Sequence, residues 1–258
     1  MIRGSFLLSL VLGLIGASIV QANTGSRFEE ANRLFEKDDF PGAVQVYEGL
    51  VSDGNASVSL LFNLGNALFK SGEFGRAIYF YRQAERIAPR DPDVRANLQF
   101  TRKEVAGAFA PTKAGWKQFF HHLSEREWAL LTAVIGALWF ALLGAREGLQ
   151  QYRLALVWPI RVMGALSILM GICCAVSRSA WSVDEDAVVI VEKANAHYGP
   201  LDDSKTAFFL KNGEEVRLSG EKGDWIQVTE AGGKLGWVRA SELQHIAESI
   251  SETLKQEE

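Results

Sequence analysis

Two matching triplets of phenylalanine and asparagine are the side chains of this chain best suited to binding. The first comprises Phe28, Asn32 and Phe35, and the second repeats it at Phe62, Asn66 and Phe69. Spacings of four and seven residues from the first phenylalanine place each triplet on one face of a helix. Phenylalanine rings can anchor apolar side chains, and asparagine amides can hydrogen-bond a peptide backbone. The triplets therefore predict recognition of a protein rather than catalysis.

A structural role is the alternative for the same side chains. Phe35 and Phe69 can instead pack against the helix that follows each of them. Asn32 and Asn66 can cap a neighbouring backbone group, as asparagine often does. Because both roles suit these residue types, the sequence leaves the choice between groove and packing open.

The triplets belong to a longer repeat, which aligns Ala31–Glu36 with Gly65–Lys70 and Tyr47 with Tyr81. Its period of about 34 residues and its residue pattern resemble the tetratricopeptide repeat, a helix–turn–helix unit. The resemblance implies that the first helix of each unit lines a concave, protein-binding face. We expect an all-α domain over residues 23–106, with repeats at 27–57 and 58–91 and a capping helix at 92–106.

Two features within this domain mark helix contacts and boundaries. Gly65 and Ala77 are small where the two helices of the second repeat must approach closely. Asp91 and Pro92 supply an N-cap and a proline at the first helical position, which begins the capping helix.

The middle of the chain predicts a two-helix transmembrane hairpin, with helices at 127–145 and 154–177. Each segment is long and apolar enough to cross a hydrocarbon core of ~30 Å. The basic residues Arg146, Arg153 and Arg161 cluster at the short connection, which the positive-inside rule places in the cytoplasm. Arg161 lies near a helix end, where it can snorkel to the interface; a buried functional arginine is the alternative.

The N-terminal residues fix the expected compartment. Residues 1–22 combine a positive start, an apolar run and a small-residue ending, which predicts a secretory signal peptide. An uncleaved anchor helix is the alternative. Either segment delivers the repeats across the membrane, so both soluble domains are expected on the extracytoplasmic side of the bacterial inner membrane.

Small residues and a capping box are further features of the hairpin. Alanines recur every fourth residue from Ala129 to Ala145, and Ser167 and Gly171 begin a similar stripe on the second span. Such stripes allow close helix packing in lipid, so the two spans are expected to pair through them, with another membrane protein as the alternative partner. Ser124 and Glu127 form a capping box, and residues 107–126 are expected to hold a linker and an interfacial helix.

The C-terminal region changes to alternating apolar and polar residues, which predicts an all-β SH3-like barrel over 184–246 and a charged tail at 247–258. We expect about five short strands, with a long loop from Lys193 to Leu210. Trp225 and Trp237 can line a ligand groove, or they can fill the interior of a small barrel.

Composition excludes several classes of function. Residues 182–258 carry 16 acidic and 8 basic residues, which disfavours nucleic acid as a partner. The sequence has no glycine-rich phosphate loop and no metal-ligand spacing, so we expect no cofactor, no metal and no enzymatic activity. Cys173 and Cys174 are adjacent and lie in the second span, where a thiol behaves as a small apolar group. A membrane redox role for them is the weaker hypothesis.

The combination of parts resembles the BatE-type proteins of Bat aerotolerance operons. The similarity is carried by Phe62–Leu68, Arg86–Leu98 and Leu123–Trp128 and extends over nearly the whole chain. It implies a membrane-anchored scaffold for protein–protein interaction in envelope stress, working beside von Willebrand-type membrane proteins and a MoxR-type ATPase. The alternative is an envelope protein that binds peptidoglycan through the SH3-like barrel.

Overall fold

The computed structural model describes residues 24–106, 120, 122–182 and 186–246. The predicted signal peptide, most of the linker and interfacial helix, and the charged tail lie outside the described residues.

The N-terminal domain consists of five antiparallel helices, arranged as two helical hairpins and a fifth helix. They are α1 (24–36), α2 (Phe40–Ser52), α3 (Val58–Lys70), α4 (Phe74–Ile87) and α5 (Pro92–Ala106). Gly65 allows the second hairpin to pack closely, since a Cβ there would lie 2.6 Å from the ring of Tyr81. The Asp91 carboxylate accepts a hydrogen bond from the backbone N–H of Val94 at 3.1 Å and so caps α5, as predicted. The hairpins have the tetratricopeptide-like arrangement expected from the sequence.

The two candidate membrane-spanning helices are α6 (Glu125–Gly148) and α7 (Val157–Ser182), joined through a 3₁₀ turn at Gln150–Tyr152. The capping box of Ser124 and Glu127 begins α6 as predicted. Arg161 is exposed near the start of α7 and lies over the ring of Trp158 at 5.9 Å. Within the described part of the protein, the side chain of Arg161 is therefore not buried between the two helices.

The expected pairing of α6 and α7 through the alanine stripe is wrong. The four alanines from Ala129 to Ala141 are exposed on the side of α6 that faces away from α7. The helices meet instead where Trp139 packs on Gly164, whose Cβ position lies 3.0 Å from the indole nitrogen. Ser167 of the predicted stripe on α7 does face α6, with its hydroxyl 3.8 Å from the Cβ position of Gly136. A large ring seated on a glycine buries more surface than a row of methyl groups would, which explains the different face.

The C-terminal domain is a seven-stranded antiparallel barrel-like sheet, in the order β3-β2-β6-β5-β4-β1-β7. The strands are β1 (Asp186–Val189), β2 (Lys193–His197), β3 (Thr206–Lys211), β4 (Glu215–Lys222), β5 (Trp225–Thr229), β6 (Leu235–Arg239) and β7 (Leu243–His245). The expected long loop from Lys193 to Leu210 is therefore wrong, because most of it forms the β2–β3 hairpin. Ala194 and Ala196 point into the core there, and such small residues give a weak strand signal.

Strand β1 joins the barrel to the helical repeats. Its residues Ala187, Val188 and Val189 are fully buried. Ala187 and Val189 belong to the barrel core, whereas Val188 belongs to the core of the repeats. A strand that is buried on both faces needs apolar residues at consecutive positions instead of alternating apolar and polar residues. This explains why Ala187, Val188 and Val189 are all apolar. The helical repeats and the barrel therefore pack directly on each other, although the two candidate membrane-spanning helices separate them in the sequence.

Candidate functional site

The first helices of the repeats lie side by side and are joined by asparagine side chains. Asn32 on α1 accepts a hydrogen bond from Asn63 on α3 at 3.1 Å. One period later, Asn66 on α3 accepts one from Asn97 on α5 at 2.7 Å. Helix α5 thus continues the repeat as the first helix of an incomplete third unit. The three helices α1, α3 and α5 form the face on which the predicted triplets lie.

Each predicted asparagine also binds a tyrosine of the second helix in its own repeat. The hydroxyl of Tyr47 donates to Asn32 Oδ1 at 2.6 Å, and that of Tyr81 donates to Asn66 Oδ1 at 2.7 Å. In both repeats the oxygen receives two donors, so the amide orientation is fixed and its NH₂ group points away from the tyrosine. Asn32 and Asn66 therefore have a structural role through their oxygens, but their partners are side chains and not the backbone groups expected under the alternative.

Burial raises the pKa of both tyrosines above the ordinary value, partly offset by the neighbouring asparagine amides. The hydroxyls of Tyr47 and Tyr81 consequently stay protonated at neutral pH and remain donors. This network of Tyr and Asn side chains therefore holds the same geometry throughout the physiological range.

The predicted phenylalanines are half-buried and contact other aromatic rings within the domain. Ring centroids are 5.8 Å apart for Phe28 and Tyr47 and 6.0 Å apart for Phe62 and Tyr81. Phe35 and Phe69 contact the first residue of the following helix, with centroids 5.3 Å and 5.5 Å from Phe40 and Phe74. The packing role proposed for Phe35 and Phe69 is thus present, while the half-exposed edges of all four rings remain on the surface.

Phe100 is an exposed aromatic residue next to the second triplet that the sequence reasoning missed. It lies on α5, its ring centroid is 5.6 Å from that of Phe69, and it is 54% exposed. Phe100 lies one repeat period after Asn66, just as Asn97 lies one period after Asn63. Extending the period into the predicted capping helix would have identified both residues. Together Phe62, Phe69 and Phe100 form an aromatic surface shared between α3 and α5, which we call the aromatic face.

The two tryptophans of the barrel lie in different environments. Trp225 is only 8% exposed, because the guanidinium of Arg239 lies 4.9 Å from its ring centroid and the ring of His197 packs on it edge to face, with centroids 5.3 Å apart. Trp237 is half-buried and opposes His197 across the β2–β6 pair. The structure thus brings both tryptophans close to His197, but it covers the ring face of Trp225.

The barrel has a polar cleft next to Trp225, since Asp224 and Arg239 contribute to its lining. Its lining residues include Glu221, Asp224, Arg239, Ser241 and His245. Burial raises the pKa of the adjacent Glu242, and the nearby positive charges of Arg239 and His197 oppose this shift. The cleft therefore offers groups of both charges to a polar ligand.

A metal site or a disulfide would require particular side chains to lie close together. Among the described residues, no group of three His, Cys, Asp or Glu side chains lies close enough to hold a metal ion. Cys173 and Cys174 are free thiols on α7.

Comparison with known families identifies the two soluble modules. The family described as tetratricopeptide repeat matches residues 58–91, which is the second repeat, and the family described as bacterial SH3 domain matches residues 191–245. A comparison with curated proteins gave no match. Domains of these two kinds are interaction modules and indicate binding of protein or of peptidoglycan. The chain thus combines a tetratricopeptide repeat unit, two candidate membrane-spanning helices and a bacterial SH3 domain.

Proposed function

We propose that this protein is a non-enzymatic scaffold, anchored in the bacterial inner membrane, which binds a partner protein on the aromatic face of its repeats. The observation that carries the proposal is the exposed ring of Phe100, which lies against the half-buried Phe69 on the neighbouring helix. Exposed aromatic rings on a rigid helical surface are effective anchors for a partner's apolar side chains. The tyrosine–asparagine network below them keeps the surface preorganised, which reduces the entropy lost on binding.

The placement of both soluble domains outside the cytoplasm rests on the domain contact and the charge pattern. Because the repeats and the barrel pack on each other, they must lie on the same side of a membrane. Two membrane-spanning helices between them meet this requirement, since an even number of crossings returns the chain to the side where it started. The arginines at the helix connection favour a cytoplasmic hairpin tip. The predicted signal peptide favours an extracytoplasmic location for the repeats.

The resemblance to BatE-type proteins supports a more specific role. In that role the scaffold belongs to an envelope-stress or aerotolerance complex, and its partners are Bat-type membrane proteins with von Willebrand domains. The aromatic face would then hold a segment of such a partner, while the hairpin keeps the scaffold in the same membrane.

Partner binding can be tested by co-purification from cross-linked membranes, followed by mass spectrometry. Replacing Phe100 with Ser removes the most exposed anchor of the aromatic face, and we expect partner recovery to fall at least about tenfold. Leu235→Ser is the matched control, because Leu235 is 56% exposed but lies on the barrel. Equal recovery of the partner with Phe100→Ser and with the wild type would refute binding on the aromatic face. Loss of the partner with Leu235→Ser alone would indicate that the partner binds the barrel instead.

Membrane topology can be tested with reporter fusions after Gln99 and after Leu243. We expect both reporters to behave as exported proteins. A cytoplasmic signal at either position would overturn the proposed topology.

Peptidoglycan binding through the barrel is the second candidate function, and the polar cleft beside Trp225 favours it. Its charged and hydroxyl side chains suit the amino sugars and peptide stems of cell wall. The covered ring of Trp225 weakens this candidate, since it cannot stack on a sugar without moving Arg239. Sedimentation of the purified full chain with insoluble peptidoglycan, compared between wild type and Asp224→Ala, tests it: binding that the substitution abolishes would support this function.

A further inference from the structure

Helix α4 is buried on all of its sides, which is unusual for the last complete hairpin of a short repeat array. The eight consecutive residues from Ala77 to Ala84 are all buried. One side of the helix packs on α3, but Tyr79 and Phe80 belong to a different side. A helix that is buried all round, here with Arg82 and Gln83 among its buried residues, needs cover from a second element. The barrel supplies much of that cover through β1 and β7.

Specific polar contacts fix the barrel in this position. The backbone N–H of Gly75, in the first turn of α4, donates to Asn212 Oδ1 at 2.6 Å. At the other end of α4, the Gln83 amide donates to the backbone oxygen of Ile246 at 3.0 Å. These two bonds attach both ends of α4 to opposite parts of the barrel and therefore define a single orientation.

A buried ion pair adds a third point of attachment. Arg102 on α5 donates two hydrogen bonds to the carboxylate of Glu215 on β4, at 2.6 Å and 2.7 Å. The two side chains are only 13% and 7% exposed. Removing one partner from such a pair leaves an uncompensated buried charge, which is strongly destabilising. The pair therefore requires the two domains to remain in contact.

We propose that the barrel is the structural cap of the repeat array and completes its fold. Two repeats are few, because each repeat buries its apolar face only against a neighbour and the last one needs a capping element. Strand β1 carries Val188 into the repeat core, and it lies outside both family matches. The tetratricopeptide match ends at residue 91, and the bacterial SH3 match begins at residue 191. This role is separate from partner binding on the aromatic face, which lies on α3 and α5.

Charge reversal of the buried pair tests the capping role in the full chain, purified in detergent. Glu215→Arg places two positive charges together, and we expect amide hydrogen exchange in α4 and α5 to accelerate at least about tenfold. The double variant Arg102→Glu with Glu215→Arg restores an opposite-charge pair and should recover most of the protection. Glu221→Arg is the matched control, because Glu221 lies on the same strand but is exposed. It should leave exchange in α4 and α5 unchanged.

Two results would overturn the proposal. In the first, Glu215→Arg accelerates exchange in the barrel, or unfolds it, while α4 and α5 keep their protection. In the second, the effect of Arg102→Glu measured alone and that of Glu215→Arg simply add in the double variant. Additive effects would show that the ion pair does not couple the domains. Loss of protection in α4 and α5 together with recovery in the double variant would establish the cap.

Discussion

Replacing Gly75 with Ala gives a test in which two physical effects have opposite signs. Alanine in a helix is favoured over glycine by roughly 0.5–1 kcal/mol, so an isolated α4 would become more stable. In the folded protein, however, the new Cβ would lie 2.1 Å from the backbone oxygen of Val189. That oxygen is held in place, since it accepts a hydrogen bond from the Gly213 N–H at 2.8 Å.

The clash should be larger than the gain in helix propensity. Relieving it requires β1 to move away from α4, at a cost of about 1–3 kcal/mol for overpacking. The movement also weakens the bond from Gly75 to Asn212, worth about 1 kcal/mol. We therefore expect a net loss of about 1–3 kcal/mol, equivalent to roughly 5–150-fold faster amide exchange in α4.

Hydrogen exchange of the full chain, followed by mass spectrometry of peptides from α4 and β1, measures this effect. Gly49→Ala on α2 is the control, because the only atoms near its Cβ position belong to the flexible guanidinium of Arg27. The control should be neutral or slightly stabilising. If Gly75→Ala protected α4 as much as Gly49→Ala protects α2, the reasoning about the domain contact would be refuted.

Three further predictions concern separate parts of the chain. Asn66→Ala leaves the buried hydroxyl of Tyr81 without its acceptor and should destabilise the repeats by about 1–3 kcal/mol; an unchanged unfolding temperature would contradict this. Burial raises the pKa of the Glu242 carboxyl above 4.5, so the native barrel binds the carboxyl proton more tightly than the unfolded chain does. The free energy of unfolding therefore decreases as the pH rises from 4.5 through the raised pKa. Glu242→Gln should therefore become more stable relative to the wild type over that pH range, and a constant difference in Tm would disprove the assignment. Gly164→Leu should separate the two membrane helices and lower the unfolding temperature in detergent, whereas Gly144→Leu, with no atom within 4 Å of its Cβ position, should not.

Local patterns in the sequence predicted much of the fold, because the residues that form them lie close together in the chain. The repeat period identified the helical hairpins, and the capping box of Ser124 and Glu127 identified the start of α6. The strand predicted over Trp225–Thr229 has the bounds of β5, since its alternating apolar residues and flanking turns are strong signals.

Two other features could not be read from local patterns. The spacing of the alanines in α6 shows that they share a face, but it does not show which face meets α7. That choice depends on the fit between Trp139 and Gly164, which lie on different helices. The ion pair of Arg102 and Glu215 joins residues 113 positions apart, and neither residue belongs to a repeat or motif that signals the other.

The candidate site was predicted in part. The period located the helices of the aromatic face, but it could not separate anchoring from packing, because the same phenylalanines have one edge in the domain and the other on its surface. The hydrogen bonds from Tyr47 and Tyr81 to the asparagines need the three-dimensional arrangement of both helices in each repeat. Phe100 was missed because α5 was interpreted only as a cap.

The bond between Gln83 and Ile246 closes a loop of 163 residues, and both membrane helices lie within that loop. A ribosome adding about 5–20 residues per second needs roughly 10–30 s to make a segment of this length. During that interval helix α4 has been synthesised, but strands β1 and β7, which pack on it, have not. The repeats are therefore made before the barrel but completed only together with it, and the side of α4 that the barrel covers is available to chaperones and proteases until the barrel has been made. Biogenesis, more than the finished protein, is where substitutions on this side of α4 should have their largest effect.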